Sequence, residues 1–148
     1  MINKGDVAPD FELQANDDQM YSLAKFKGKK VVLVFYPMDF SPVCTNEHTC
    51  LVNDLGLFNQ AGVQVLGVSI DHRWAHKAFA AKLGISYPLL ADFNPRGAVA
   101  AKYGVFEEAK AISKRATVII GEDGKVIEAI DHGIPNVPDV QQILAAAK

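Results

Sequence analysis

Residues 35–50, FYPMDFSPVCTNEHTC, decide how the rest of the chain is read. Ahead of them runs KKVVLVFY, residues 29–36, a β-branched apolar run bounded by lysines, which predicts a buried strand over Val31–Tyr36. Behind them comes LVNDLGLF, where Leu51, Leu55 and Phe58 recur at i, i+4 and i+7, the stripe of a helix laid on a sheet. Pro42 suits the first turn of that helix and Ser41 its N-cap. Cys44 therefore falls in the first turn, where unpaired N–H groups and the helix dipole favour an anion. A thiol held there is a candidate thiolate, the reactive form of cysteine.

Magnitudes show that a helix end cannot do this alone. Bringing a free thiol from about 8.5 to about 6 takes roughly 3–4 kcal/mol. A helix terminus supplies about 0.3–1 kcal/mol, rising to about 2 when partly buried. A nearby cation is therefore required, and the chain offers three arginines, Arg73, Arg96 and Arg115.

Working outward, Phe11–Leu13 and Met20–Leu23 flank the turn-rich QANDDQ and predict a small hairpin. The central helix spans Pro42 to about Asn59 and stops near Gly62; Val63–Ile70 is the next buried strand. A strand, helix and strand of these lengths imply a right-handed parallel crossover. Asp71 is expected to cap a helix over His72–Lys82, with Ala75, Ala78 and Phe79 inward and Gly84 at its end. Tyr87–Leu90 is a short strand, and Pro95 opens a helix over Arg96–Tyr103. ATVII, GEDG and KVIEAI give a second hairpin, and Val140–Ala147 the last helix.

At 148 residues, with 49% hydrophobic and 22% charged residues, the expectation is one globular domain over 1–148. A net charge of −2 gives no reason to expect nucleic acid or an anionic membrane as partner. The opening MINKGDVAPDF has no apolar leader pattern and no run approaches 18 apolar residues, so the cytoplasm is the expected location. Two cysteines six positions apart are no secreted disulfide framework.

Pro37, Ser41 and Cys44 match the P-x3-[ST]-x2-C pattern of peroxiredoxins, and the chain resembles that family along its length: GDVAPDFEL, the Pro37–Cys44 loop, YPLLAD and RATVIIGEDGKV. It is most similar to the bacterioferritin-comigratory and one-cysteine bacterial branches. The resemblance implies an α/β, thioredoxin-like fold with an N-terminal β-hairpin, a mixed central sheet and helices on both faces, which the order of elements also suggests. It implies a thiol-dependent peroxidase needing no metal or organic cofactor. Cys44 attacks a peroxide oxygen, becomes a sulfenic acid and is restored by an external thiol such as thioredoxin.

By the same resemblance Ser41 touches the thiolate and the peroxide, Pro37 shields the thiolate from water, and Arg115 reaches the cysteine from the head of ATVII. Glu47, three residues after Cys44 on the same helical face, helps orient the site. A homodimer is expected, with Phe40, Trp74 and neighbouring loops at the contact: large apolar side chains lie near polar loops, and the enzymes resembled pair through this end.

Cys50 has two readings. Six residues along an intact helix span about 9 Å, beyond the roughly 4.4–6.8 Å between the Cα atoms of a disulfide. Resolution of Cys44 by Cys50 thus requires the helix start to unwind. The branch resembled usually carries its second cysteine five positions on, where this chain has Thr49, so the expectation leans to Cys50 as a packing residue. His72 and His76 have zinc-ligand spacing without a third ligand nearby, and are expected at the surface or in packing. A thioredoxin-type disulfide oxidoreductase lacks its C-x-x-C pair here. A non-turnover redox sensor or holdase keeps the cysteine but predicts no steady peroxide consumption.

Overall fold

The computed structural model describes residues 1–148. At its centre is strand β3 (Lys30–Phe35), whose uninterrupted apolar run is what a strand covered on both faces requires. Before it come the hairpin strands β1 (Glu12–Gln14) and β2 (Met20–Ser22). After it follow helix α1 (Pro42–Gln60), strand β4 (Val63–Ser69), helix α2 (Arg73–Leu83), strand β5 (Leu89–Ala91) and the short helix α3 (Ala98–Lys102). Strands β6 (Phe106–Glu107) and β7 (Ile112–Ser113) pair with each other. Strands β8 (Ala116–Ile120) and β9 (Val126–Asp131) precede the final helix α4 (Val140–Ala147).

The five-stranded sheet has the order β5-β4-β3-β8-β9. β3 pairs parallel with β4, Val32 opposite Val65, and antiparallel with β8, Leu33 opposite Val118. Successive β3 side chains point to opposite faces. Val32 and Val34 join Leu51, Phe58, Phe79, Ile143 and Leu144 in a core under α1, α2 and α4. Val31, Leu33 and Phe35 join Phe11, Val99, Ala100, Tyr103 and Val105 in a second core under α3 and the N-terminal segment. Helices therefore cover both faces of a mixed sheet, as expected. Burying a side chain such as Leu51 or Phe58 stabilises by about 1.5–3 kcal/mol. Leu51→Ala is the single change that would most directly loosen α1 from the sheet, at about 2–5 kcal/mol.

Three local expectations are corrected. Asp71 does not cap α2: His72 is the N-cap and its Nδ1 accepts from the Trp74 amide at 3.3 Å. The inward face of α2 carries His76, Phe79 and Ala80, while Ala78 is exposed. Helix α3 is shorter than predicted, because Gly97 takes up the left-handed conformation before it. There the buried Asp92 carboxylate accepts the amides of Val99 and Ala100 at 3.0 and 2.9 Å.

One register matters most for function. Phe35, the last residue of β3, lies opposite Ala116, the first of β8. Because the two strands run antiparallel, Arg115 is delivered to the same sheet end from which the chain leaves β3 for α1. Open α/β sheets place their ligands at this kind of end.

Candidate active site

Cys44 is the third residue of α1, after Pro42 at the first helical position and Ser41 at the N-cap. Ser41 has extended backbone angles, φ −65° and ψ 148°, and its carbonyl accepts the Thr45 amide at 2.9 Å. Its hydroxyl donates to the Met38 carbonyl at 3.2 Å and makes no side-chain cap. Ser41 thus fixes its own loop in this conformation, and its hydroxyl makes no hydrogen bond to Cys44. Pro37 is buried in that loop, and Cys44 is fully enclosed.

Arg115 is the largest fully buried side chain. Its Nη1 donates to Cys44 Sγ at 3.2 Å and to Glu47 Oε1 at 2.7 Å, while Nε donates to the Ile134 carbonyl at 2.8 Å. The rigid guanidinium serves these acceptors from two nitrogens in one fixed plane, whereas an ammonium would have to reach all three from a single nitrogen. Arg73 instead pairs with Asp18 at 3.0 Å, and Arg96 is exposed. Of the three arginines, Arg115 supplies the cation beside the sulfur.

Burial drives the Glu47 carboxyl up to about 7, against the opposing pull of Arg115. One helical residue further on, His48 is completely buried and points Nδ1 at the Tyr87 hydroxyl, 2.5 Å away. Burial, aided by the charges of His76 and Arg115, pushes His48 down to about 3. It is a neutral imidazole, and its buried Nε2 has no hydrogen-bond partner in the protein. Gly67 on β4 makes room beside it for Leu89: a Cβ there would lie 2.6 Å from Leu89 Cδ2, and at an ordinary contact distance of 3.5 Å from His48 Cε1.

A second buried polar group sits under the Pro37–Ser41 loop. Tyr36 Oη donates to Asp39 Oδ1 at 2.6 Å, and His76 Nδ1 meets Asp39 Oδ2 at 2.7 Å. Burial first, and then the charge of Asp39, holds the Tyr36 hydroxyl well above its usual range. Asp39, Asp71 and His76 offer ligand atoms within 4.8 Å of one another. Each takes part in hydrogen bonds within the protein, and Asp71 is only half-buried. Sequence reasoning missed Asp39 and His76 as site neighbours. The spacing His76, Phe79, Ala80, Leu83 was the available signal, since it puts the histidine on the apolar stripe of α2.

Cys50 is a free thiol, half-buried against the core that contains Leu51 and Phe58. Helix α1 runs unbroken through both cysteines, which keeps them about 9 Å apart along its axis. Phe40 and Trp74 are 49% and 62% exposed, so both are accessible from solvent as a contact would need. An apolar cleft of about 190 Å³ lined by Val7, Leu23, Phe26 and Ile120 lies at the far end of the sheet and does not touch Cys44. No helix is long and apolar enough to cross a membrane.

A five-stranded mixed sheet between helices, with a cysteine at a helix start beneath a buried guanidinium, defines a thiol enzyme of thioredoxin-like fold. The sequence model of the AhpC/TSA family matches residues 4–129, and the chain belongs to that family, the peroxiredoxins. It is 38% identical over 125 residues to alkyl hydroperoxide reductase E of Mycobacterium tuberculosis, covering 84% of this chain and 82% of that protein. It is 39% identical over 136 residues to the putative peroxiredoxin bcp of Coxiella burnetii, covering 87% of each. The crystal structure of Enterococcus faecalis AhpC superposes with a TM-score of 0.91 at 28% identity, covering 99% of this chain and 91% of that one. The protein is a thiol-dependent peroxidase, with a peroxide as substrate and a thiol as reductant.

Proposed function

We propose that Cys44 is the residue the peroxide oxidises, and that the enzyme is of the one-cysteine type. The observation that carries this reading is Arg115 Nη1 at 3.2 Å from Cys44 Sγ. The sulfur attacks one peroxide oxygen, the O–O bond breaks, and the second oxygen leaves with its electron pair and a proton as water or alcohol. Cysteine is oxidised by two electrons to a sulfenic acid. An external thiol then attacks that sulfur and expels water, and a second thiol displaces Cys44 from the mixed disulfide.

Arg115 lies where negative charge grows as the O–O bond lengthens, and fixed donors at such a place carry much of a rate enhancement. Glu47 holds Arg115 in that position through the 2.7 Å contact. Pro37 keeps water from the sulfur, and the Ser41 hydroxyl, now on the Met38 carbonyl, is one rotation from serving the bound peroxide. Cys50 stays a packing residue, supported by the unbroken α1 between it and Cys44. We further propose that residues 1–148 act as one domain in the cytoplasm, and that two copies pair through the exposed Phe40 and Trp74.

The test is steady peroxide consumption with a dithiol reductant. It is expected to disappear in Cys44→Ser and persist in Cys50→Ala. Turnover that survives Cys44→Ser would overturn the assignment.

A further inference from the structure

We infer that the buried Asp39–His76 pair positions the loop ahead of Cys44, so that both are positioning residues for the peroxide reaction; the inference rests on Cys44 being the oxidised residue. Residues 37–40 lie in the connection from β3 to α1, directly ahead of the helix start that carries the fully enclosed Cys44, yet no backbone-to-backbone hydrogen bond begins or ends on them. Their conformation is also not one the chain adopts freely, since Phe40 sits at φ +68°, an unfavourable region for a bulky side chain. Something other than local backbone preference holds this segment.

Asp39 supplies the hold. It is 7% exposed and is tied from three directions. Tyr36 Oη, at the end of β3, donates to Oδ1 at 2.6 Å. The Asp39 amide donates to Asp71 Oδ2, in the connection between β4 and α2, at 2.9 Å. His76 Nδ1, from α2 itself, lies 2.7 Å from Oδ2. His76 is in turn fixed by the Leu90 carbonyl on β5, 3.0 Å from Nε2. A carbonyl only accepts, so Nε2 carries a proton, and the 2.7 Å contact of Nδ1 with Oδ2 ties the other side of the ring to Asp39. The sheet and α2 are thereby coupled through Asp39 to the loop between Pro37 and Ser41, where Phe40 also packs edge-on against Phe79 of α2. A misplacement of about 1 Å among reacting groups can cost about a hundredfold in rate.

The hydrogen-bond pattern discriminates between substitutions. In Asp39→Asn the amide oxygen still accepts from Tyr36, and the amide nitrogen donates to Nδ1 of the neutral, Nε2-protonated imidazole. Asp39→Ala and His76→Ala lose the tie. The experiment measures two rates on Cys44 under conditions where urea unfolding shows each variant folded: single-turnover oxidation by hydrogen peroxide, and alkylation by iodoacetamide. Asp39→Ala and His76→Ala are expected to slow oxidation at least about tenfold while alkylation speeds up, because a loosened loop exposes the sulfur but misplaces the groups that meet the peroxide. Asp39→Asn is expected to stay within about threefold of wild type in both rates. Should the alanine variants not fold, Tyr36→Phe removes one tie at nearly constant volume and is expected to move both rates in the same opposed directions.

Oxidation within threefold of wild type in Asp39→Ala, or in Tyr36→Phe where that variant substitutes for it, would overturn the inference. So would a parallel fall of both rates, or Asp39→Asn as slow as Asp39→Ala. If Cys44→Ser is still oxidised as fast as wild type, it is the assignment of Cys44 that fails, and the two failures are told apart.

Discussion

Arg115 and Cys44 are separated by 71 positions in sequence, and Nη1 of the first donates to Sγ of the second at 3.2 Å. The contact follows from the antiparallel pairing of β8 with β3, which brings the start of one strand to the end of the other. The same nitrogen serves Glu47, so sulfur and carboxylate share one buried cation.

Arg115→Ala is expected to lower the rate of peroxide reduction by more than tenfold, since losing one donor at a charge-developing centre costs about 10²–10³ in rate. Arg115→Lys should recover little, because an ammonium cannot reproduce the fork that reaches Ile134, Glu47 and Cys44. Arg73→Ala and Arg96→Ala are the controls. A larger loss in either control would refute the role of Arg115.

Glu47 and His48 should give opposite dependences of stability on pH. The Glu47 carboxyl is raised from 4.5 to about 7, so the folded protein holds a proton there that the unfolded chain has lost, and stability falls as pH rises through that window. His48 is lowered from 6.5 to about 3, so the unfolded chain takes up a proton that the folded protein refuses, and stability falls as pH drops below 6.5. Between these limits the two oppose each other. Relative to wild type, Glu47→Gln should gain stability as pH rises from about 4.5 to 6.5, and His48→Leu should lose it. Each difference is of order 2 kcal/mol. Urea midpoints at three pH values measure it, and curves parallel to wild type would contradict the argument.

Cys50→Ala should keep most of the turnover. Forming a Cys44–Cys50 disulfide requires α1 to unwind over its first turns, and that exposes part of the Leu51, Leu55 and Phe58 stripe. Peroxide-treated wild-type protein should gain about 16 Da, one oxygen, or a thiol adduct when a thiol is supplied. A loss of about 2 Da with a Cys44–Cys50 peptide after digestion would establish the two-cysteine route instead.

Sedimentation at micromolar concentration should show a species of twice 16.1 kDa. Phe40→Ala with Trp74→Ala should shift it toward the single chain, because the two exposed rings, together with Met38 and Phe93, make up apolar area offered near these loops. Finding the 16.1 kDa species alone in the wild type would remove the dimer.

Much of this was written in the sequence, because it depends on local periodicity and local caps. The β-branched run of β3, the stripe of α1 and Pro42 at its first position put Cys44 at a helix start with no knowledge of the rest of the chain. The alternating side chains of β3 also required apolar cover on two faces, which is what the two cores supply. Family resemblance, rather than spacing, selected Arg115 from three arginines. Only the tertiary structure decided what depends on contacts between distant segments. The β3–β8 register determined which arginine meets the sulfur. The packing of α2 on the sheet turned His76, expected at the surface or in packing, into the buried partner of Asp39. The direction of the Ser41 hydroxyl, toward Met38, was decided by the loop. Periodicity along a chain reports which face of an element is buried; it carries no information on which polar side chain from elsewhere will share that buried space.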